Sequence, residues 1–139
     1  GTYGGTALAP LDAAEVAALT EAINEEYGAL NTYQAAIAQF GNIYPFSQIA
    51  RSEQQHVNAL ARLFTQYGLP VPANPGLTTT PTWATVADAC QTGVDAEIAD
   101  AALYDQLKPS VDNADILRVF ANLQAASLNS HLPAFEACN

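Results

Sequence analysis

The sequence predicts an all-α bundle of four helices, arranged as two antiparallel hairpins joined by a long proline-rich crossover. Apolar residues recur at helical spacing, and no segment alternates apolar and polar residues as a half-buried strand does. Glycine and proline punctuate the chain at Gly41 and Pro45, over 68–82 and at Pro109, leaving four pieces of helix length. The stretch 69–82 holds four prolines and shows no helical period.

Residues 1–11 begin GTYGGTALAP, uncharged and rich in Gly and Thr, and are expected to form an extended arm ahead of a single domain over 12–139. Asp12 with Glu15 forms a D-x-x-E capping box, and periodic Ala-rich sequence then predicts a first helix over 13–40. Gly41 ends it, because glycine adopts the backbone that a helix stop requires. Pro45 restarts the chain in a second helix that runs to Tyr67, before Gly68. That helix is roughly 33 Å long at 1.5 Å per residue. The 14 residues of 69–82 reach roughly 43 Å when extended, enough to return along the bundle. Thr82 is a plausible cap for a third helix over 83–107, stopped by Pro109. Asp112 and Asp115 are expected to cap a fourth over 113–137.

Charge restricts the partners. Fourteen Asp and Glu face four Lys and Arg, a formal net charge of −10, although only 13% of the 139 residues are charged. The acidity comes from missing bases, so the surface must be built from Ala, Thr, Ser, Asn and Gln. Nucleic acids and anionic membranes both call for a basic patch that this composition does not supply, which leaves cations as the favoured partners. No apolar run is long enough to cross a bilayer. The chain contains no Met, starts at Gly1 and holds one pair of cysteines, which together suggest a secreted or cell-surface protein whose leader has been removed. There is no P-loop, dinucleotide glycine motif, nucleophile elbow, C-x-x-C unit or haem motif.

The chemistry concentrates around two histidines. His56 closes Glu53-Gln54-Gln55-His56, an E-x-x-H on a helix, and residues three apart share a helical face. A carboxylate and an imidazole so placed can bind one metal ion or two adjacent ones. The two halves of the chain also repeat. EYGALNTY at 26–33 resembles EIADAALY at 97–104, each with Glu and Tyr seven residues apart. Aligning His56 with His131 also matches Ala50 with Ala125, Ser52 with Ser127 and Ala59 with Ala134. Ile23, Leu30 and Tyr33 share a face with Glu26, and an acid facing a core needs a partner.

With EEYGALNTY, IARSEQQHVNALARLFTQYG, GVDAEIADAALYDQL and DNADILRVFANLQAASLNSHLPAF, the chain resembles the ferritin-like, rubrerythrin-related superfamily over about residues 12–137. Its nearest branch is a ferritin-like domain of unknown function. The resemblance implies a four-helix bundle that holds iron or manganese between one Glu from each of two helices and an E-x-x-H from each of the others. Carried over by position, the ligands are Glu26, Glu53, His56, Glu97 and His131. The Glu expected three residues before His131 is Leu128, and Asp100, one turn after Glu97, is the acid available as a substitute. A mononuclear site, a pair with one bridge and a metal-free relic all fit this set. Tyr33 and Tyr104 read first as core residues with satisfied hydroxyls.

The cysteines probe the register of that assignment. Cys90 lies seven residues before Glu97 and Cys138 seven after His131. On antiparallel helices that set His131 level with Glu97, the cysteines also come level, within reach of a disulfide. Two functions follow as expectations. One is an exported metal-binding protein with oxidase or peroxidase-type redox activity. The other is a structural or interaction subunit of an extracellular assembly, homo-oligomeric or mixed, with a degenerate site.

Overall fold

The computed structural model describes residues 10–139, so most of the expected arm over 1–11 lies outside the described residues. Within them the chain is all-helical: α1 (Ala13–Phe40), α2 (Phe46–Gln66), α3 (Val86–Leu107), α4 (Ala114–Ala126) and α5 (Leu132–Cys138). A π-helical turn, Ser127–His131, joins α4 to α5, so these two form the fourth rod of a four-helix bundle. A 3-10 turn over Lys108–Ser110 links α3 to α4.

α1 starts as its sequence requires. The Asp12 side chain accepts from the Glu15 backbone N–H, and Glu15 accepts from that of Asp12. Glu15 also reaches across the bundle, where its Oε2 accepts from the backbone N–H groups of Asp112 and Asn113 and from the Asn113 amide. α4 is therefore anchored by an acid of α1, and its own N-cap, Asn113, makes no side-chain capping bond. Asp115 instead accepts from the Tyr67 hydroxyl at the end of α2.

α3 begins three residues later than its sequence suggests, capped by Thr85, whose hydroxyl accepts from the Asp88 backbone N–H. The reason lies in α1. The side-chain amide of Gln39 bonds both backbone groups of Trp83, and the indole N–H donates to Thr92. Residue 83 is thus occupied in a non-helical conformation. Upstream, the Tyr27 hydroxyl donates to the Pro72 carbonyl, and Asn31 pairs with Asn74. Positions on α1 and on this segment rise together, so the connection between α2 and α3 runs alongside α1 in the same direction.

α1 packs chiefly on α2, while α3 packs on α5 and the π turn. The interior holds two apolar clusters. One contains Leu19, Ile23, Leu60, Ile116 and Phe120, and the other Leu30, Phe46, Ile49, Cys90 and Phe135. Between them on every rod lies a polar layer: Glu26, then Glu53 with His56, then Glu97 with Asp100, then Ser127 with His131, all buried. Gly93 allows α3 to approach α5, because a Cβ there would sit 2.6 Å from the Phe135 ring. The Cys90–Cys138 disulfide closes this end, with Cα atoms 5.8 Å apart.

Candidate metal centre

The polar layer gathers Glu26, Glu53, His56, Glu97 and His131 into two overlapping groups. Glu26, Glu53 and His56 form one; Glu53, Glu97 and His131 form the other; within each, candidate ligand atoms lie within 4.8 Å of one another. Nδ1 of His56 stands 3.1 Å from Glu26 Oε1 and 2.8 Å from Glu53 Oε1. Nδ1 of His131 stands 3.2 Å from Glu97 Oε1 and 3.8 Å from Glu53 Oε2. The imidazoles stack, with ring centroids 5.3 Å apart and planes at 18°.

The two halves of the chain grip each other crosswise. The Tyr104 hydroxyl donates to Glu26 Oε2 and the Tyr33 hydroxyl to Glu97 Oε2, each at 2.5 Å. Each tyrosine therefore fixes the outer oxygen of the opposite half's glutamate and leaves the other oxygen facing histidine. Burial and the adjacent carboxylates, Glu97 for Tyr33 and Glu26 for Tyr104, push both phenols well above their ordinary value. They remain protonated donors at neutral pH.

Glu53 is the odd member. Both of its carboxylate oxygens are buried without a hydrogen-bonding partner, the 2.8 Å approach of His56 lacking hydrogen-bond geometry. Burial and then the charges of Glu26 and Glu97 push its carboxyl well up. Burial acts on Glu26 in the same sense, but bonds from the His56 imidazole and the Tyr104 hydroxyl outweigh it and hold Glu26 below the usual value. A buried carboxylate without partners costs several kcal/mol, and a cation is the partner that two such oxygens fit. The donor set, oxygen-rich with one imidazole per group, could hold a metal ion.

Asp100 lies outside both groups. Its Oδ2 accepts from the Ser127 hydroxyl at 2.5 Å, and its Oδ1 is buried without a partner. Leu128, read from the sequence as the position of a missing ligand, is on the surface, 43% exposed. The π turn accounts for this. Leu132 N–H bonds Ser127 C=O, five residues back, so the residue sharing a face with His131 is the one four before it. Ser127 fills that place and is fully buried. The helix bearing His131 supplies a hydroxyl at this point rather than a carboxylate.

Ser52 carried no weight in the sequence beyond its match with Ser127. Its Oγ lies 2.9 Å from Nε2 of His131 and 3.4 Å from Nε2 of His56, on the ring edges away from the glutamates. A surface cleft of about 220 Å³, lined by Tyr44, Gln48 and Ser130 among others, reaches this edge. The helical step of four that places Ser52 beside His56 was visible in the sequence; the arrival of His131 from another rod was not.

Fold and site thus define an all-helical four-helix protein with a buried Glu/His layer that could hold a metal. No protein-family model matches the chain, and no curated protein does. Solved structures do. A hypothetical protein from Methanococcus jannaschii superposes with a TM-score of 0.81 at 26% identity, over 94% of this chain and 82% of that one. A conserved hypothetical protein from Mycobacterium tuberculosis gives a TM-score of 0.76 at 16% identity, over 89% of this chain and 96% of that one, a likeness of fold alone.

Proposed function

We propose that this chain is an exported, ferritin-like metal-binding protein whose polar layer holds a pair of iron or manganese ions. Glu26, Glu53 and His56 would hold one ion, and Glu53, Glu97 and His131 the other, with Glu53 shared. The observation that carries the reading is Glu53, whose two partnerless buried oxygens each belong to a Glu/His group. Bound there, iron would supply redox chemistry toward dioxygen or peroxide, since carboxylate-rich ligation accommodates both of its common oxidation states. Tyr33 and Tyr104 hold the outer oxygens of Glu97 and Glu26, and the two apolar clusters close the layer on either side along the bundle.

The connection over 67–85 plays the part of a ferritin-like crossover, and residues 12–139 form the domain. The disulfide and the charge-poor acidic surface support export. Protein purified without chelators should carry iron or manganese at up to two ions per chain, or take them up on reconstitution. Glu53→Ala with His56→Ala should abolish both. Wild-type protein that stays metal-free after exposure to each ion under reducing conditions would sink the proposal.

One feature favours the second reading, a structural or interaction subunit of an extracellular assembly with a degenerate site: the rod bearing His131 contributes no carboxylate to the layer. Light scattering separates the two. A metal-free polymer supports a scaffold, and a monodisperse metal-loaded species opposes it.

A further inference from the structure

We propose that Ser52 is a positioning residue that orients both imidazoles at once. With a cation in the layer, its hydroxyl oxygen accepts from Nε2–H of His131 and of His56, so that both Nδ1 lone pairs are free for the ion. The inference rests on the metal-centre reading and deepens it by naming what sets the rings.

The geometry limits the ways these contacts can be made. One hydroxyl lies within 2.9 Å and 3.4 Å of two Nε2 atoms, on rings stacked at 18°. A serine hydroxyl has one hydrogen and two lone pairs, so it cannot donate to both rings, but it can accept from both. A neutral imidazole with its hydrogen on Nε2 has its lone pair on Nδ1, the atom that faces Glu26 and Glu53 in one ring and Glu97 in the other. Acceptance from both rings is thus the single arrangement in which both contacts are made and both Nδ1 atoms are ready for a cation. Among the described residues no other side chain bonds either Nε2.

The glutamates alone favour the opposite tautomer. Four carboxylate oxygen contacts face the two Nδ1 atoms, and an acceptor facing Nδ1 favours a hydrogen there. A cation on Nδ1 reverses that preference, and Ser52 then accepts the hydrogens on Nε2. The π turn is what lets one serine serve two rods, by bringing His131 beside a residue one turn before His56 on α2. The cleft on this edge is the source of the competitor, water, which replaces a lost hydroxyl only without its fixed direction.

The test compares wild type with Ser52→Ala and Ser52→Thr, using Zn²⁺ as a diamagnetic probe in competition with a chromophoric chelator. Outer hydrogen-bond partners of metal-bound histidines typically affect affinity about 10–100-fold. Ser52→Ala should lose affinity within that range, and Ser52→Thr, which keeps the hydroxyl, should stay within a few-fold of wild type. Alanine is a strong helix former, so the fold should survive, as circular dichroism will verify. Long-range ¹H–¹⁵N spectra of Zn²⁺-loaded protein supply a second readout. They should show His56 and His131 bound through Nδ1 with slowly exchanging Nε2–H signals in wild type, and those signals broadened by exchange with water in Ser52→Ala. Unchanged Nε2–H signals and unchanged Zn²⁺ affinity in Ser52→Ala would overturn the proposal while wild type binds Zn²⁺. A wild type that takes up none of Zn²⁺, iron or manganese sinks the metal centre itself.

Discussion

Asp100 ties the charge of the polar layer to pH. Burial, then the negative charge of Glu26, pushes its carboxyl up to about 9, with the Ser127 hydroxyl bond pulling the other way. Unfolded, it would titrate near 3.8. Between those values the folded chain holds a proton that the unfolded chain has released, so stability falls as pH rises. Glu53, also pushed up, acts in the same sense. Metal-free protein should therefore show an unfolding free energy, read from urea titrations, that drops from pH 6 to pH 8 by roughly 1 kcal/mol per pH unit for one such group. Asp100→Asn, neutral throughout, should flatten the slope, and an unchanged slope would mean that Asp100 is ionised in the folded protein. Glu15 works in the opposite direction at lower pH. Burial pushes it up, but bonds from Asp112, Asn113 and Asp12 outweigh this, so its contribution is lost as pH falls through its lowered value.

At the scale of elements, the π turn decides which residues face inward, and Leu128 separates the two registers. In a regular helix, Leu128→Glu would restore an E-x-x-H and add a ligand. With the turn over Ser127–His131 the new acid stays in solvent. Leu128→Glu should leave metal stoichiometry unchanged and shift stability by no more than about 0.5 kcal/mol; a gain in bound metal would disprove the register. Pro133 is the sequence signal for this turn, although it does not specify one. It cannot donate to residue 129, and in a regular helix its ring would crowd that carbonyl, a conflict that widening to five-residue hydrogen bonds relieves.

The α3–α5 contact gives a second prediction on this scale. Gly93→Ala puts a methyl 2.6 Å from the Phe135 ring and should destabilise by roughly 1–3 kcal/mol. Gly28→Ala, where nothing lies within 4 Å of the added carbon, should stabilise α1 by roughly 0.5–1 kcal/mol. Urea titrations of both variants should move in opposite directions; destabilisation by both would show that helix packing is not what distinguishes them.

For the whole molecule, two similar halves close around one layer, each tyrosine bonding the other half's glutamate. The disulfide ties the start of α3 to the end of α5, across 48 residues of sequence. Closing a loop of that length restricts the unfolded chain by about 4 kcal/mol on the chain-entropy view, and measured values run about 2–4 kcal/mol. Reduction, or Cys90→Ala with Cys138→Ala, should lower the unfolding free energy by that amount while helical circular dichroism is retained at 25 °C. A change below about 0.5 kcal/mol would mean that the bridge constrains little.

The sequence by itself determined the four rods, the start of α1 at its capping box, the stop at Gly41 and the pairing of the cysteines. These depend on local chemistry: helical period, capping groups and the level at which antiparallel helices meet. The ferritin-like resemblance that its motifs carry, an E-x-x-H and a repeated Glu at fixed helical offsets, also named the five acids and imidazoles that converge. Tertiary structure alone decided that Ser127 rather than Leu128 faces inward, that α3 waits for Thr85 because Gln39 holds Trp83, and that Glu15 anchors α4. It also decided that one serine reaches two imidazoles. Each of those outcomes depends on a partner from another rod or on a change of helical pitch, and neither leaves a period in the sequence.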